Sequence, residues 1–420
     1  MDFVNNLPVE LGESIFQHLT FEKLLECTLV SKSWNTFIGK SSKLMKKIIY
    51  RFYQLNDRRF YKKEYKDAFY KSQRMYQHIE IIKVSQNYIE EILDMFRGKI
   101  GNVKTLKLKE LHFNNTKDVA DFIEYFEPTI EEIELDRILV NSIDEYERHK
   151  FERLKVLRIL NIDCDINCSS IFVMCSNLIE LRVTTTSFTI KYKRPILVML
   201  EQNEKLKTLE LSLPLYHMIL TNEILEENDE VVFKLNTFIG TNRYTAWPLI
   251  DYDDFFMTQL NSLEKLSLAE VNHLKNIEII FKMPKLKELH LGNVEKFNMM
   301  NLTLTVNKSI EKISFMDMNN RHNTMYAIVC AIPNVKEMKI YSLTQYMMEF
   351  MSKTLKCLRN LKMRTIDAQD LTDPNLFPQL EMCSVEVVNS DLDDHMWSIP
   401  VENSSKLVQL ILASNYLILH

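Results

Sequence analysis

The sequence predicts an α/β protein in which a small helical module precedes a curved solenoid, with a parallel sheet on the concave face and helices outside. A short apolar pattern, L-x-x-L-x-L with other aliphatics allowed, recurs along nearly the whole chain. Amphipathic helical segments separate its copies, and the first 45 residues lack it. Because one copy cannot bury its apolar face alone, neighbouring copies must stack.

Composition limits the possible functions. Of the 420 residues 46% are apolar, which argues against disorder, and only 6 are glycine, which disfavours nucleotide-binding loops. Lysine and arginine number 52 against 57 acidic residues, so the net charge of −5 predicts no bulk attraction to nucleic acid or to an anionic membrane. The chain shows no secretory signal and no run of about 18 to 20 apolar residues, so we expect no membrane association and a cytoplasmic or nuclear location.

Neither a metal site nor a catalytic site is predicted. The seven cysteines are an odd number and mostly scattered, which is typical of reduced thiols. Cys164, Cys168 and Cys175 cluster, with His149 as a fourth candidate ligand, but the C-x3-C spacing is not that of a zinc knuckle. A glycine-rich phosphate loop, an H-E-x-x-H motif and a G-x-S-x-G elbow are absent from the sequence. We therefore expect no cofactor, no metal and no enzymatic activity.

The first 45 residues contain two apolar helical segments. Pro8 occupies a natural first helical position, and Leu11, Ile15 and Leu19 then recur four apart. A second segment covers residues 21–37. A module of about forty residues is too small to bury so many large side chains, so we expect some to stay exposed until a partner covers them. The alternative is that they pack on the first repeats as an ordinary helical cap.

The order and spacing of the apolar residues in this module resemble an F-box. The resemblance implies three helices that dock on the Skp adaptor of an SCF ubiquitin ligase, with the cullin and RING subunits beyond it. Carried over position by position, it implies that the residues that face the adaptor or support its interface are Leu7, Pro8, Leu11, Ile15, Leu24, Val30 and Trp34. We expect Leu25, Leu29 and Phe37 in the core instead.

A basic aromatic segment, residues 46–78, follows the module. Ten basic and three acidic residues give it a charge of +7, and nine aromatic residues are interleaved. We predict a helical linker or N-terminal cap with its aromatic side chains turned inward. The alternative is a surface for single-stranded nucleic acid, which binds such combinations of basic and aromatic side chains.

The remaining chain, 79–420, is predicted to be one array of about fourteen copies. The copies start at residues 79, 103, 130, 154, 178, 206, 235, 263, 286, 310, 335, 358, 380 and 407, at intervals of 22 to 29 residues. The period resembles that of leucine-rich repeats. The fourth and sixth residues of a copy lie two apart, so both point to the buried face of a short strand. Apolar residues with helical spacing follow the strands, as in 119–126 and 277–281.

The chain departs from the family pattern in two ways. The family has asparagine or cysteine at the ninth position of a repeat, whereas aliphatic residues such as Leu111, Ile138 and Val271 stand there. We therefore expect the backbone turns to be satisfied by other groups. The spacing also loosens at 214–262, where an exposed loop with Tyr244 and Trp247 would offer partner-binding anchors. A packed tryptophan in a poorly conforming repeat is the alternative.

A substrate surface is predicted on the concave face, at the third, fifth and seventh residues of each copy. The candidate residues at these positions are Lys107, Lys109, Glu132, Glu134, Arg158, Arg182, Lys339, Tyr341, Lys362 and Arg364. Blocks of charge favour a partner of complementary charge. Equally, lysine and glutamate on adjacent strands can simply neutralise each other.

Together the two resemblances imply a non-catalytic substrate receptor of an SCF ubiquitin ligase, which binds an unidentified protein and promotes its proteasomal degradation. Two alternatives remain open. One is a scaffold or regulatory protein whose F-box meets the adaptor without ubiquitin transfer. The other is a nucleic-acid-associated protein that uses residues 46–78.

Overall fold

The computed structural model describes residues 4, 7–53, 76–84, 88–96, 103–142, 150–162, 168–185, 194–217, 219, 233–241, 252–271, 274–294, 304–317, 322–340, 345–363, 380–387 and 395–400. The chain divides into two compact units, Met1–Leu206 (unit 1) and Lys207–His420 (unit 2). No helix in these ranges is long and apolar enough to cross a membrane.

Unit 1 begins with four helices and continues with alternating strands and helices. Its helical segments are α1 Val9–Phe16, α2 Phe21–Thr28, α3 Lys32–Lys40, α4 Ser42–Met45, α5 Ile89–Phe96, α6 Thr116–Glu124 and α7 Arg194–Gln202, with a 3₁₀ turn at Cys168–Phe172. Its strands are β1 Ile49–Tyr53, β2 His78–Ile82, β3 Thr105–Lys109, β4 His112–Asn115, β5 Glu132–Asp136, β6 Leu139–Ser142, β7 Val156–Ile162 and β8 Glu180–Thr185. A parallel sheet has the order β1-β2-β3-β5-β7-β8, and β4 pairs with β6 in a small second sheet.

Unit 2 repeats the same alternation. Its strands are β9 Thr208–Ser212, β10 Thr237–Thr241, β11 Lys265–Val271, β12 Glu288–Val294, β13 Lys312–Asp317, β14 Glu337–Ile340, β15 Asn360–Met363, β16 Met382–Val387 and β17 His395–Pro400. Its helices are α8 Leu213–Tyr216, α9 Asp253–Gln259, α10 Leu274–Phe281, α11 His322–Ala331 and α12 Gln345–Thr354. Strands β9 to β16 pair in parallel in chain order, and β17 joins β16 in the antiparallel direction.

The repeating pattern positions both sheets. From the copy at 103 to the copy at 380, each strand starts two residues after the predicted start of its copy. The fourth and sixth residues are buried, as with Leu106 and Leu108, and they lie in register with their counterparts on the next strand. The helical spacing at 119–126 and 277–281 corresponds to α6 and α10, whose apolar residues are buried. The sequence therefore predicts a mixed α/β protein with parallel strands correctly.

The beginning of the array differs from the prediction. Ile79 pairs with Leu106 and Ile81 with Leu108, so the first copy starts at Tyr76, three residues before the predicted start. One more strand precedes it, because β1 pairs in parallel with β2. Residues 46–78 were predicted to form a helical linker or cap. Their described part after Ile48 is instead a strand and a turn. Alternating Tyr50 and Phe52 explain this, since aromatic residues suit a half-buried strand. Residues 54–75 lie outside the described ranges.

The end of the array also differs. The sequence predicts only parallel strands, whereas β17, which starts at His395, runs antiparallel to β16. The copy predicted at 407 lies outside the described residues.

Residues with left-handed backbone conformation recur at or just beyond the ends of four strands of unit 1. Lys83, Glu110, Arg137 and Asn161 have φ of 54°, 53°, 54° and 56°. Each is the eighth residue of its copy once the first copy starts at 76. The backbone N–H of Glu110, for example, donates to the oxygen of Asp136 on the next strand (2.8 Å). Glycine would adopt this left-handed conformation with the least strain, yet non-glycine residues stand at these four positions. The hydrogen bonds to the next strand compensate for the strain.

Buried amide side chains satisfy the turns that precede the strands. Asn203 is 1% exposed and bonds three backbone groups, the oxygens of Cys175 (2.7 Å) and Met199 (2.6 Å) and the N–H of Leu178 (2.7 Å). In unit 2, Gln259 bonds the N–H of Leu235 and the oxygen of Phe233, and Asn307 bonds the oxygens of Phe281 and Met283. The aliphatic ninth residues Leu111, Ile138 and Val271 are buried, as the sequence predicts. The family's asparagine ladder is missing here. The buried amides that precede the strands hydrogen-bond the backbone turns in its place.

Candidate protein-binding surfaces

The helices at the N-terminal side pack around one aromatic cluster. The ring of Phe16 lies 5.1 Å from that of Trp34, edge to face, and 5.8 Å from that of Phe37. Phe16 and Leu24 are fully buried. A Cβ on Gly12 would come within 2.6 Å of the Phe37 ring, so the absence of a side chain there lets α3 approach α1 closely.

Hydroxyl caps fix the start of each later helix. Thr20, Ser31 and Ser41 accept the backbone N–H three residues ahead, at 3.4, 3.2 and 3.2 Å. The Ser41 hydroxyl also donates to Glu13 (2.6 Å), which forms an ion pair with Lys43 (3.1 Å). These two hydrogen bonds lower the pKa of Glu13. The same contacts tie α1 to α4, so the helices form one rigid group.

Exposed apolar side chains concentrate on this helical group. Ten large apolar side chains are exposed in the part of the chain that the structure describes, and five of them fall between residues 9 and 30. They are Val9 (57%), Leu11 (54%), Ile15 (49%), Leu29 (86%) and Val30 (62%). Apolar surface concentrated in this way marks a protein-binding site rather than random exposure.

The residues predicted to bind the adaptor divide into two sets. Exposed positions are Pro8, Leu11, Ile15 and Val30, while Leu7 and Trp34 are half-buried. Leu24 is fully buried, so it can support this surface but cannot face a partner. The prediction that Leu29 is a core residue is wrong, because Leu29 follows the last turn of α2 and points to solvent; Leu25 and Phe37 are half-buried. The sequence analysis missed Val9 and Leu29 as surface residues.

A network of ion pairs covers the sheet face of unit 1. It joins nine side chains on six strands into one connected set: Arg51–Glu80 (2.7 Å), Glu80–Lys109 (3.0 Å), Lys109–Glu134 (3.3 Å), Lys107–Glu134 (3.0 Å), Arg158–Glu134 (3.6 Å), Arg158–Glu132, Arg158–Glu180 (2.7 Å) and Arg182–Glu180 (2.7 Å). Burial raises the pKa of Glu134, but the hydrogen bonds and charges of Lys107 and Lys109 outweigh it, so that pKa lies below its usual value. The charges therefore neutralise one another.

This network supports the interpretation that the charges of unit 1 neutralise one another. Lys107, Lys109, Glu132, Glu134, Arg158 and Arg182 were predicted as substrate contacts, and all six are engaged in ion pairs. Their contact with a substrate stays a prediction. The sequence analysis missed their partners Arg51 and Glu80, because the first copy was placed three residues late and β1 was not recognised.

The other predicted contacts lie in unit 2 or outside the described residues. Lys339 and Lys362 are exposed on the sheet face. Tyr341, Arg364, Tyr244 and Trp247 lie outside the described residues. Of the ten basic residues in 46–78, the described ones are Lys46, Lys47 and Arg51; Lys47 donates to the backbone oxygen of Leu19 (3.1 Å) and Arg51 pairs with Glu80.

The described ranges contain no candidate metal site. No group of three or more His, Cys, Asp or Glu side chains is arranged there to hold a metal ion. Cys175 is fully buried, and burial raises the pKa of its thiol to about 12, which keeps it protonated. Cys164 lies outside the described residues, so the predicted cluster with Cys168 is seen only in part.

Comparison with known proteins identifies the helical group. A family model described as F-box-like matches residues 4–51, which covers α1 to α4 and the start of β1. No curated protein matches the chain. An F-box implies binding to a Skp-type adaptor and suggests a substrate-adaptor role in SCF-type ligases. Residues 4–51 of this α/β protein form an F-box-like domain.

Proposed function

We propose that the protein is the substrate-recognition subunit of an SCF-type ubiquitin ligase. In this role the F-box-like domain docks on the Skp adaptor, and the strand and helix copies hold a protein substrate. The observation that carries the proposal is the concentration of exposed apolar side chains between residues 9 and 30, within the matched range 4–51. A monomeric domain gains nothing from exposing them, whereas an adaptor would bury them.

We further propose that the copies form a divergent leucine-rich-repeat array. Parallel strands that recur with the apolar pattern, connecting helices, and buried fourth and sixth residues support this assignment. Such arrays offer extended surfaces for protein partners. The subunit itself performs no chemistry. It raises the effective concentration of its substrate near the catalytic subunits that the adaptor recruits.

Proximity labelling in cells under proteasome inhibition tests the function. Three forms of the full chain are compared: the wild type, a variant with Leu11→Asp and Ile15→Asp, and a matched control with Leu139→Asp and Ile179→Asp, two exposed apolar residues elsewhere in unit 1 (47% and 43%). We expect the wild type and the control to label the Skp adaptor and a cullin, and the first variant to lose both.

Substrates are the proteins that all three forms label under proteasome inhibition and that, in cells without the inhibitor, accumulate only with the Leu11 and Ile15 variant. Equal labelling of the adaptor by that variant would contradict the proposal. Adaptor labelling without accumulation of any labelled protein would instead favour a scaffold that meets the adaptor without promoting ubiquitin transfer.

A further inference from the structure

Two lysines on neighbouring strands of unit 2 lie directly opposite each other. Lys339 on β14 and Lys362 on β15 are register partners, and both are exposed. Neighbouring strands lie about 4.8 Å apart, so two positive charges occupy the same row of the face. Like charges in this arrangement destabilise a sheet. Neither lysine forms an ion pair with any residue in the described ranges.

Unit 1 contains the same arrangement with a counter-ion. Arg158 and Arg182 are also register partners, but Glu180 lies between them and pairs with both at 2.7 Å. Glu180 is the third residue of its copy. In the copy of Lys362 that position is Asn360, which carries no charge.

The carboxylate two residues before Lys339 on β14 is already engaged. Glu337 is the register partner of Asn360, and it forms an ion pair with Lys312 at 3.0 Å. In the same row, Lys265 forms an ion pair with Glu288 at 2.6 Å. The described carboxylates of the third-residue row therefore neutralise lysines of their own row, and within the described ranges the charges of Lys339 and Lys362 have no counter-ion.

The row continues from the lysines with uncharged polar side chains. Ser314, His290 and Ser267 follow in register on β13, β12 and β11. His290 is half-buried; its pKa is lowered, first by burial and then by the positive charges of Lys265, Lys339 and Lys312, against the opposing effect of Glu288. The imidazole thus lies in a positive local field. It is neutral near pH 7 and can donate or accept a hydrogen bond.

We propose that this row, Ser267, His290, Ser314, Lys339 and Lys362 (the lysine row), binds an acidic segment of a protein partner through side-chain carboxylates. The inference rests on the proposed function, since it names the chemistry of the segment that the copies hold. An extended segment places alternate side chains about 6.6 Å apart on one face, which two flexible lysines about 4.8 Å apart can both reach. The partner supplies the counter-ion that Glu180 supplies within unit 1.

Fluorescence anisotropy with the full chain tests the inference without any adaptor. The probe is a labelled twelve-residue peptide with glutamate at alternate positions, and its control has glutamine there. We expect the wild type to prefer the glutamate peptide, and Lys339→Gln with Lys362→Gln to weaken its binding by about tenfold or more. A control with Lys282→Gln and Lys308→Gln, exposed lysines off this row, should bind like the wild type.

Asn360→Glu gives a second, independent variant. It introduces into unit 2 a carboxylate equivalent to Glu180 of unit 1 while both lysines remain, so we expect it to weaken peptide binding without weakening the fold. Equal binding of both peptides, equal loss in the control variant, or undiminished binding by Asn360→Glu would overturn the inference. Binding of a phosphoserine peptide without any binding of the glutamate peptide would overturn the assignment to carboxylates. Adaptor binding is measured separately, so each proposal can fail alone.

Discussion

At the scale of single residues, Glu134 shows how the charged face of unit 1 is held together. Its side chain is 10% exposed and pairs with both Lys107 and Lys109, with Arg158 nearby. A carboxylate with so little solvent is stabilising only while it is ionised and its partners are in place. The pKa of Glu134 lies below its usual value. Burial disfavours the ionised carboxylate, but the two lysines favour it more strongly.

Replacing Glu134 with glutamine is expected to destabilise unit 1 at pH 7. The loss is about 1 to 3 kcal/mol, because two lysines lose a partly buried partner. Glu311→Gln is the control, since Glu311 and its partner Lys336 are each about half exposed and their pair contributes at most about 1 kcal/mol. Urea denaturation followed by circular dichroism measures both differences.

The pH dependence of the same variant provides a second test. Because the folded pKa of Glu134 is depressed, its contribution is fully present above the unfolded pKa of about 4.3 and is lost as pH falls through the folded value. The difference between the wild type and Glu134→Gln should therefore narrow as the pH falls below about 4. A difference that is unchanged at pH 3.5 would show that the ion pairs of Glu134 do not cause it.

Sequence reasoning at this scale identified the charged residues but not their pairing. Lys107, Glu134 and Arg158 were placed correctly on one face by the period of two. These residues can pair internally or bind a partner. The outcome depends on the register between strands that are about 25 residues apart in sequence, and the pattern of a single repeat does not specify that register. An error of three residues in the first copy was enough to hide Glu80.

At the scale of elements, the F-box-like helices contain both fully buried and highly exposed leucines. Leu24 and Leu29 lie five residues apart in or next to α2, yet one is fully buried and the other is 86% exposed. The helical period predicts the stripe of Leu11 and Ile15 on α1. It does not predict the exposure of Leu29, because the helix ends at Thr28 and the chain then leaves the helical spacing.

Leu24→Ala and Leu29→Ala should therefore differ sharply in stability. Leu24→Ala opens a cavity in the helical group and costs about 2 to 5 kcal/mol. Leu29→Ala removes an exposed side chain and should change the free energy of unfolding by less than about 0.5 kcal/mol. Thermal unfolding of the full chain compares the two. Comparable destabilisation by both would contradict the assignment of Leu29 to the surface.

The turns between helices and strands rest on buried amides rather than on the family's asparagine ladder. Asn203→Leu keeps the side-chain size but leaves three backbone groups without a partner, so we expect a loss of about 2 to 4 kcal/mol. Asn177→Leu is the control, because Asn177 is exposed and makes one bond to the oxygen of Glu152 (3.1 Å). Its loss should stay below about 1 kcal/mol. Equal urea midpoints for the two variants would contradict the role of Asn203.

At the scale of the whole molecule, the repeating pattern predicts most of the architecture. It located the strands from 103 to 380, because each must bury the same two aliphatic residues to stack. It failed at the first and last strands of the described array. β1 precedes the predicted first copy and carries aromatic residues, and β17 pairs with β16 in the antiparallel direction.

At this scale, the proposed function depends on surfaces that differ in charge and in apolar exposure. Charges on the sheet face of unit 1 are paired internally, the lysine row of unit 2 is not paired within the described ranges, and exposed apolar side chains concentrate between residues 9 and 30. A receptor that binds both an adaptor and a substrate requires a different binding surface for each. The apolar surface is the one on which the proposed function depends.

The affinity of the purified full chain for the Skp adaptor, measured by isothermal titration calorimetry, tests that dependence most directly. We expect the wild type and the Leu139→Asp, Ile179→Asp control to bind equally, and the Leu11→Asp, Ile15→Asp variant to bind at least about a hundredfold more weakly while its unfolding temperature is unchanged. Undiminished binding by that variant, or no binding by the wild type, would contradict the account.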